Sequence, residues 1–265
     1  MIKLNFQINK YYLAFTLVNK IDYLDKATKK QEMNAFTKLL LKYKDNPYFY
    51  LILTKNPNYT QWGLENIYSL NRTSKIPFEL QNIYLNIFHS RLFKGILKET
   101  VEYKNLIKCE WKENLIFVKS YLEEIMGFNL PPLIYNIIIV HPLLRSGKVI
   151  SKEFFIFGHP AEWSNYNTVY LTHELLHLLF DYYKIPENKI SHALIELISD
   201  NELRIRLNKG GRYFYSEGKK VGHPFLKKIE KQMLPYWLNY LKRKQKNIIY
   251  FYKQLEKIIK VENSV

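Results

Sequence analysis

The stretch Leu171-Thr172-His173-Glu174-Leu175-Leu176-His177-Leu178-Leu179 decides how the rest of the chain is read. On an α-helix, residues four apart lie on one face, so His173 and His177 can turn both imidazoles toward one metal ion. Glu174 stands one step round, close enough to touch a water at that ion without binding the ion itself. Leu175, Leu176, Leu178, Leu179 and Phe180 make the segment a buried helix, expected over 168–183. Two histidines and a glutamate in such a place must be hydrogen-bonded or ligated, because an unpartnered buried polar group costs roughly 2–7 kcal/mol.

Nitrogen donors in this arrangement suit Zn²⁺, which in catalytic centres takes three protein ligands and keeps a fourth position open. The single cysteine, Cys109, excludes a cysteine-based cluster. A third donor is therefore sought on the next helix, expected over 186–207, which reads Ser191-His192-Ala193-Leu194-Ile195-Glu196-Leu197-Ile198-Ser199-Asp200-Asn201-Glu202. Glu196 follows His177 by 19 residues, enough for a turn and an antiparallel return. Leu197 and Ile198 flank it, so its carboxylate is expected to be at least half buried and in need of a cation. His192, Glu196 and Asp200 share one helical stripe. His192 would make a three-histidine site, and Asp200 and Glu202 are further alternatives, although Glu202 has Arg206 four residues on as an ion-pair partner. Asp200 could also accept the second ring N–H of a ligand histidine, which fixes that ring's tautomer.

H-E-x-x-H followed about 20 residues later by E-x-x-x-D resembles the thermolysin-like gluzincins of the peptidase MA clan, over 154–207, about a fifth of the chain. The resemblance implies two antiparallel helices holding zinc, with a sheet edge beside the first helix that aligns an extended peptide. It makes His173, His177 and Glu196 the metal ligands, Glu174 the general base and Asp200 the residue that steadies a ligand histidine. A residue that stabilises the oxyanion is also expected. His223, in the Gly/Pro-marked stretch Val221-Gly222-His223-Pro224, is the first candidate, and Tyr215 and then Tyr213 follow.

Outward from this core, 133–140 and 149–157 read as β-strands joined by a turn at 145–148. The run 153–157 is either the substrate-aligning edge strand or a core strand, its place before the metal helix favouring the edge. Residues 4–18 read as an extended start, and helical spacing is expected over 25–44 and 93–126. A basic helical region covers 224–260, divided or kinked at Pro235. The expected fold is α+β: a mostly helical region over 1–130, a metal-binding core of sheet plus two helices over 131–210, and a basic helical region over 211–265.

Length and composition agree with a globular protein: 265 residues, 47% hydrophobic and 24% charged. Nine glycines leave no Gly-rich phosphate loop. The net charge of +16 is uneven, with 14 Lys/Arg against 3 Glu over 208–260 but 2 Lys against 7 Asp/Glu over 161–202. The basic end, including Lys242-Arg243-Lys244-Gln245-Lys246, reads either as a weak nucleic-acid or anionic-surface contact or as a composition bias in a solvated face. The apolar stretch 11–18 is too short to span a bilayer and lacks a cleavage site, so a cytoplasmic protein is expected. Together these features lead to a zinc-dependent metallopeptidase acting on a peptide or protein. The alternatives are a non-peptidase zinc hydrolase and a nucleic-acid-associated basic protein with a structural zinc.

Overall fold

The computed structural model describes residues 2–19, 85–144, 146–151 and 154–259. The helix expected over 25–44, together with Arg145 and Glu153, lies outside them. Mixed helix and strand follow in the order β1 (Ile2–Gln7), α1 (Lys10–Asn19), α2 (Arg91–Met126), β2 (Leu133–Ile139), β3 (Ser146–Ser151), β4 (Phe154–Gly158) and α3 (Tyr166–Tyr182). Then come α4 (Lys189–Glu196), a π-helical stretch (Leu197–Leu203), α5 (Arg204–Leu207), the two-stranded ribbon β5 (Tyr215–Ser216) and β6 (Lys219–Lys220), α6 (Lys227–Leu241) and α7 (Ile248–Ile258). The extended start expected over 4–18 is a strand and then a helix; Asn9 Oδ1 accepts from the amides of Tyr11 and Tyr12 and opens α1. No helix among the described residues is long and apolar enough to cross a membrane.

The described residues fall into two compact units, each drawn from separate stretches of chain. One gathers those of Asn5–Leu106 and Asn136–Pro160, and holds most of a four-stranded sheet of order β1-β2-β4-β3. β2 and β4 run parallel, from Asn136 opposite Phe154 to Ile139 opposite Phe157. β3 returns antiparallel to β4, with a register shift between Val149 and Ser151. Ile137, Ile138 and Ile139 are all buried, as in a strand covered on both faces. Two expectations change here. The run 149–157 is two strands, β3 and β4, and β4 is paired on both sides, so Phe154–Gly158 is an interior strand and not a sheet edge.

The other unit gathers Ile107–Tyr135 and the described residues from Ala161 on, with residues 2–4. α2 is one unbroken helix of 36 residues. Gly127 stops it at φ +80, where a Cβ would lie 1.8 Å from the carbonyl oxygen of Lys246, so only glycine allows that approach. Of the two outcomes expected at Pro235, a division or a kink, the division does not occur: α6 runs through it. An interior proline costs about 3 kcal/mol. Beyond it Trp237 and Tyr240 are fully buried, each contributing about 1.5–3 kcal/mol, and Tyr240 stacks on Phe251 of α7 at 4.3 Å. The break falls later, where Asn247 caps α7 through the Tyr250 amide. In the basic run, Lys246 donates to Glu124 and the Arg243 guanidinium lies over the rings of Tyr240 and Phe251, so half of that cluster is engaged within the fold.

Candidate metal centre

The helix carrying the two histidines is anchored at both ends. Asn165, at φ 58, offers α3 no side-chain cap. Glu110 of α2 does so instead, its carboxylate accepting from the Thr168 amide and from Asn167 Nδ2, both at 2.7 Å. An anion there also meets the positive end of the helix dipole. At the far end Lys184, two residues before Pro186, takes φ 59 and the Ile185 amide returns to Phe180 O at 2.8 Å, closing the helix. The facing helix α4 opens on a reciprocal cap: Asn188 accepts from the amides of Ile190 and Ser191, and Ser191 Oγ accepts from the Asn188 amide.

Between α3, α4 and the loop before α6 lie four imidazoles. The ring centres of His173 and His177 are 5.1 Å apart, those of His177 and His192 4.8 Å, and those of His192 and His223 4.8 Å. Nitrogen atoms of His173, His177 and His192 all lie within 4.8 Å of one another, a set able to hold a metal ion. A second set of the same kind, His192, Glu196 and His223, shares His192. His173 Nδ1 stands 2.6 Å from Asp200 Oδ2, which leaves its Nε2 facing His177 Nε2 at 3.3 Å. Two nitrogens bound at about 2.0–2.1 Å to one tetrahedral ion lie about 3.3 Å apart, so the pair has the separation that such an ion requires.

Glu196 is fully buried, with three groups around its carboxylate. The His223 amide donates to it at 2.7 and 3.0 Å, His223 Nδ1 meets Oε1, and Lys227 Nζ reaches Oε2 at 3.4 Å. Lys227 also donates to Glu230, another fully buried carboxyl, at 2.7 Å, and Asn201 Nδ2 bridges Glu196 O and Glu230 Oε2. This cluster arises because the helix changes pitch at Leu197. Over the π-helical stretch amides reach back five residues, the Arg204 amide to Ser199 O among them. A four-residue step then no longer keeps residues in one stripe. Asp200 faces His173, whereas Glu196 faces His223.

The electrostatics follow from burial and neighbours. Burial opposes a charge on His173, but Asp200 outweighs it and holds the imidazole up to about 9. Burial and the neighbouring His173 push His177 down to about 3, and likewise His192 to about 4, so both rings are neutral and carry lone pairs near neutral pH. Burial raises the Glu174 carboxyl to about 7, a shift that His173 partly offsets. Glu174 takes no hydrogen bond from any described side chain and is 7% exposed.

The structure thus brings His173, His177, Glu174, Asp200, Glu196 and His223 into one region. It does not bring Glu196 together with both His173 and His177 as one donor set. Tyr215 stays out of the cluster; its ring sits under the Arg212 guanidinium at 5.0 Å, on an exposed ribbon. Tyr213 is also committed elsewhere, donating to Glu202 while Trp237 Nε1 donates to it. Glu202 pairs with Arg206 at 2.7 Å, the partner its spacing indicated. Lys227 and Glu230 carried no signal in the sequence beyond an i, i+3 pair of opposite charge, because their meeting with Glu196 joins separate helices.

The donor set fits a metal on an observation independent of any motif. Only two buried side-chain nitrogens among the described residues lack a hydrogen-bond partner, Trp163 Nε1 and His192 Nε2. Leaving such a group unpaired costs about 1–3 kcal/mol, and a cation shared with two neighbouring lone pairs removes that cost. Comparison with known proteins finds no matching family model, no matching curated relative and no matching solved structure.

Proposed function

We propose that the protein is a zinc-dependent peptidase. The observation that carries this reading is Glu174, a buried carboxyl with no hydrogen bond among the described residues, on the same helical turn as two histidines whose Nε2 atoms face each other at 3.3 Å. His173 and His177, with a third donor from the helix that follows, would hold the ion. Imidazole nitrogens favour zinc over harder cations that prefer oxygen. When bound, zinc polarises the scissile carbonyl and makes water acidic near neutrality.

The chain's own residues supply the proton handling. Glu174 accepts a proton from the attacking water and delivers it to the leaving nitrogen, and burial, which raises its carboxyl, favours the proton-holding form between the two steps. Asp200 holds His173 through Nδ1 and so fixes the tautomer that presents Nε2. His223, with about half of its side chain exposed, is held through Nδ1 by Glu196, which leaves its Nε2 side open to a substrate oxygen that gains negative charge. The choice of peptides over other carbonyl or phosphoryl substrates comes from the gluzincin resemblance of His173–His177 and Glu196–Asp200.

The test uses zinc-loaded protein and a peptide library, with Glu174→Gln beside the wild type. The variant should keep zinc and lose about 10²–10⁴ in turnover. Loss of zinc from Glu174→Gln would make Glu174 a ligand instead of a base. A zinc-loaded wild type that leaves every peptide intact would favour a hydrolase of another class.

A further inference from the structure

Resting on the metal-hydrolase reading above, we propose that the third protein donor is His192, and that Glu196 is a positioning residue for His223 and not a ligand. This departs from what the gluzincin resemblance implies, and three observations carry it.

The first is the unpartnered nitrogen. His192 Nε2 is buried and has no hydrogen-bond partner among the described residues. His192 offers a nitrogen within 4.8 Å of nitrogens on both His173 and His177, the three forming one donor set. The second is the state of Glu196. A carboxylate has about four lone-pair sites, and here three donors already engage both oxygens: the His223 amide, shared between them, His223 Nδ1 on Oε1 and Lys227 Nζ on Oε2. The third is the backbone built against it. Gly222 sits at φ +75, and a Cβ there would lie 1.9 Å from Glu196 Oε2. The turn Val221-Gly222-His223 is therefore moulded onto the carboxylate, which at once fixes the His223 ring. Turning Glu196 toward His173 and His177 would strip the His223 amide of its acceptor and leave Lys227 paired with Glu230 alone.

X-ray absorption on the zinc-loaded full chain counts imidazole ligands directly and needs no variant. Three imidazoles are expected. Two imidazoles with a carboxylate would overturn the assignment of His192 while leaving the hydrolase reading intact, whereas a wild type that binds no zinc after reconstitution would overturn both. The same count in His192→Ala should fall to two, and in His223→Ala it should remain three; the opposite pattern would make His223 the donor and sink the proposal. In competition titrations, His192→Ala should weaken zinc binding by more than the roughly 10–100-fold that loss of an outer partner costs, and Glu196→Gln should stay within that range. The visible spectrum of cobalt-substituted Glu196→Gln should match the wild type in band position and intensity, which a ligand substitution would change.

Discussion

Asp200 Oδ2 lies 2.6 Å from His173 Nδ1, across the interface of α3 with the π-helical stretch, and both groups are buried. The Ser199 hydroxyl stands 2.7 Å from the same carboxylate oxygen, so the acceptor is itself held in place. The pair converts a helix-turn accident of sequence into a ring of fixed orientation.

Asp200→Asn should therefore weaken zinc binding by about 10–100-fold without unfolding the protein, because the amide is isosteric but no longer enforces the tautomer. A competing chelator of known affinity measures this. An unchanged dissociation constant would mean that Asp200 contributes packing alone.

His223 and Tyr215 are separated by the structure although the sequence offers both. His223→Gln should lower kcat by about 10²–10³, the loss seen when one oxyanion donor is removed, with little change in KM. Tyr215→Phe should leave both constants unchanged, since that ring faces Arg212. Equal losses in the two variants would contradict the placement of Tyr215.

Glu230 makes stability depend on pH in a defined direction. Burial and the nearby Glu196 push its carboxyl up to about 8. The unfolded value is about 4.3, so the folded state binds this proton more tightly. The stabilisation is complete below about pH 4.3 and is lost as pH rises through about 8. Glu230→Gln cannot titrate, so the wild type should lose stability relative to the variant across that window and then run parallel to it. Urea midpoints of both proteins from about pH 5 to about pH 9 measure the difference; a flat difference would show that Lys227 keeps Glu230 ionised throughout.

Zinc should also stabilise the fold, because the donors are assembled only in the native state. At a free concentration about 100 times the dissociation constant the gain is about 2.7 kcal/mol. Thermal unfolding followed with zinc and then with a chelator should show the midpoint rise and return. No shift, with zinc demonstrably bound, would mean that the unfolded chain binds it as well.

Much of the centre was legible in the sequence because it lies within the reach of one helical repeat. The i, i+4 spacing of His173 and His177, the burial of their helix among leucines and the pairing of Glu202 with Arg206 all follow from a period of 3.6 residues. What tertiary structure decided lies where that period fails or where distant segments meet. The π-helical stretch after Glu196 breaks the stripe beyond that residue, so Asp200 turns to His173 while Glu196, still beside His192, faces His223. A loop 27 residues further on then closes over Glu196 through the His223 amide, and Lys227 and Glu230 complete a buried charge cluster that no local pattern announces. Likewise the apolar run before the metal helix reads as either strand with its position favouring the edge, and only the pairing of β4 with both β2 and β3 makes it interior. Spacing along one helix is dictated by backbone geometry, whereas the choice between two donors on that helix depends on which of them another part of the chain has already engaged.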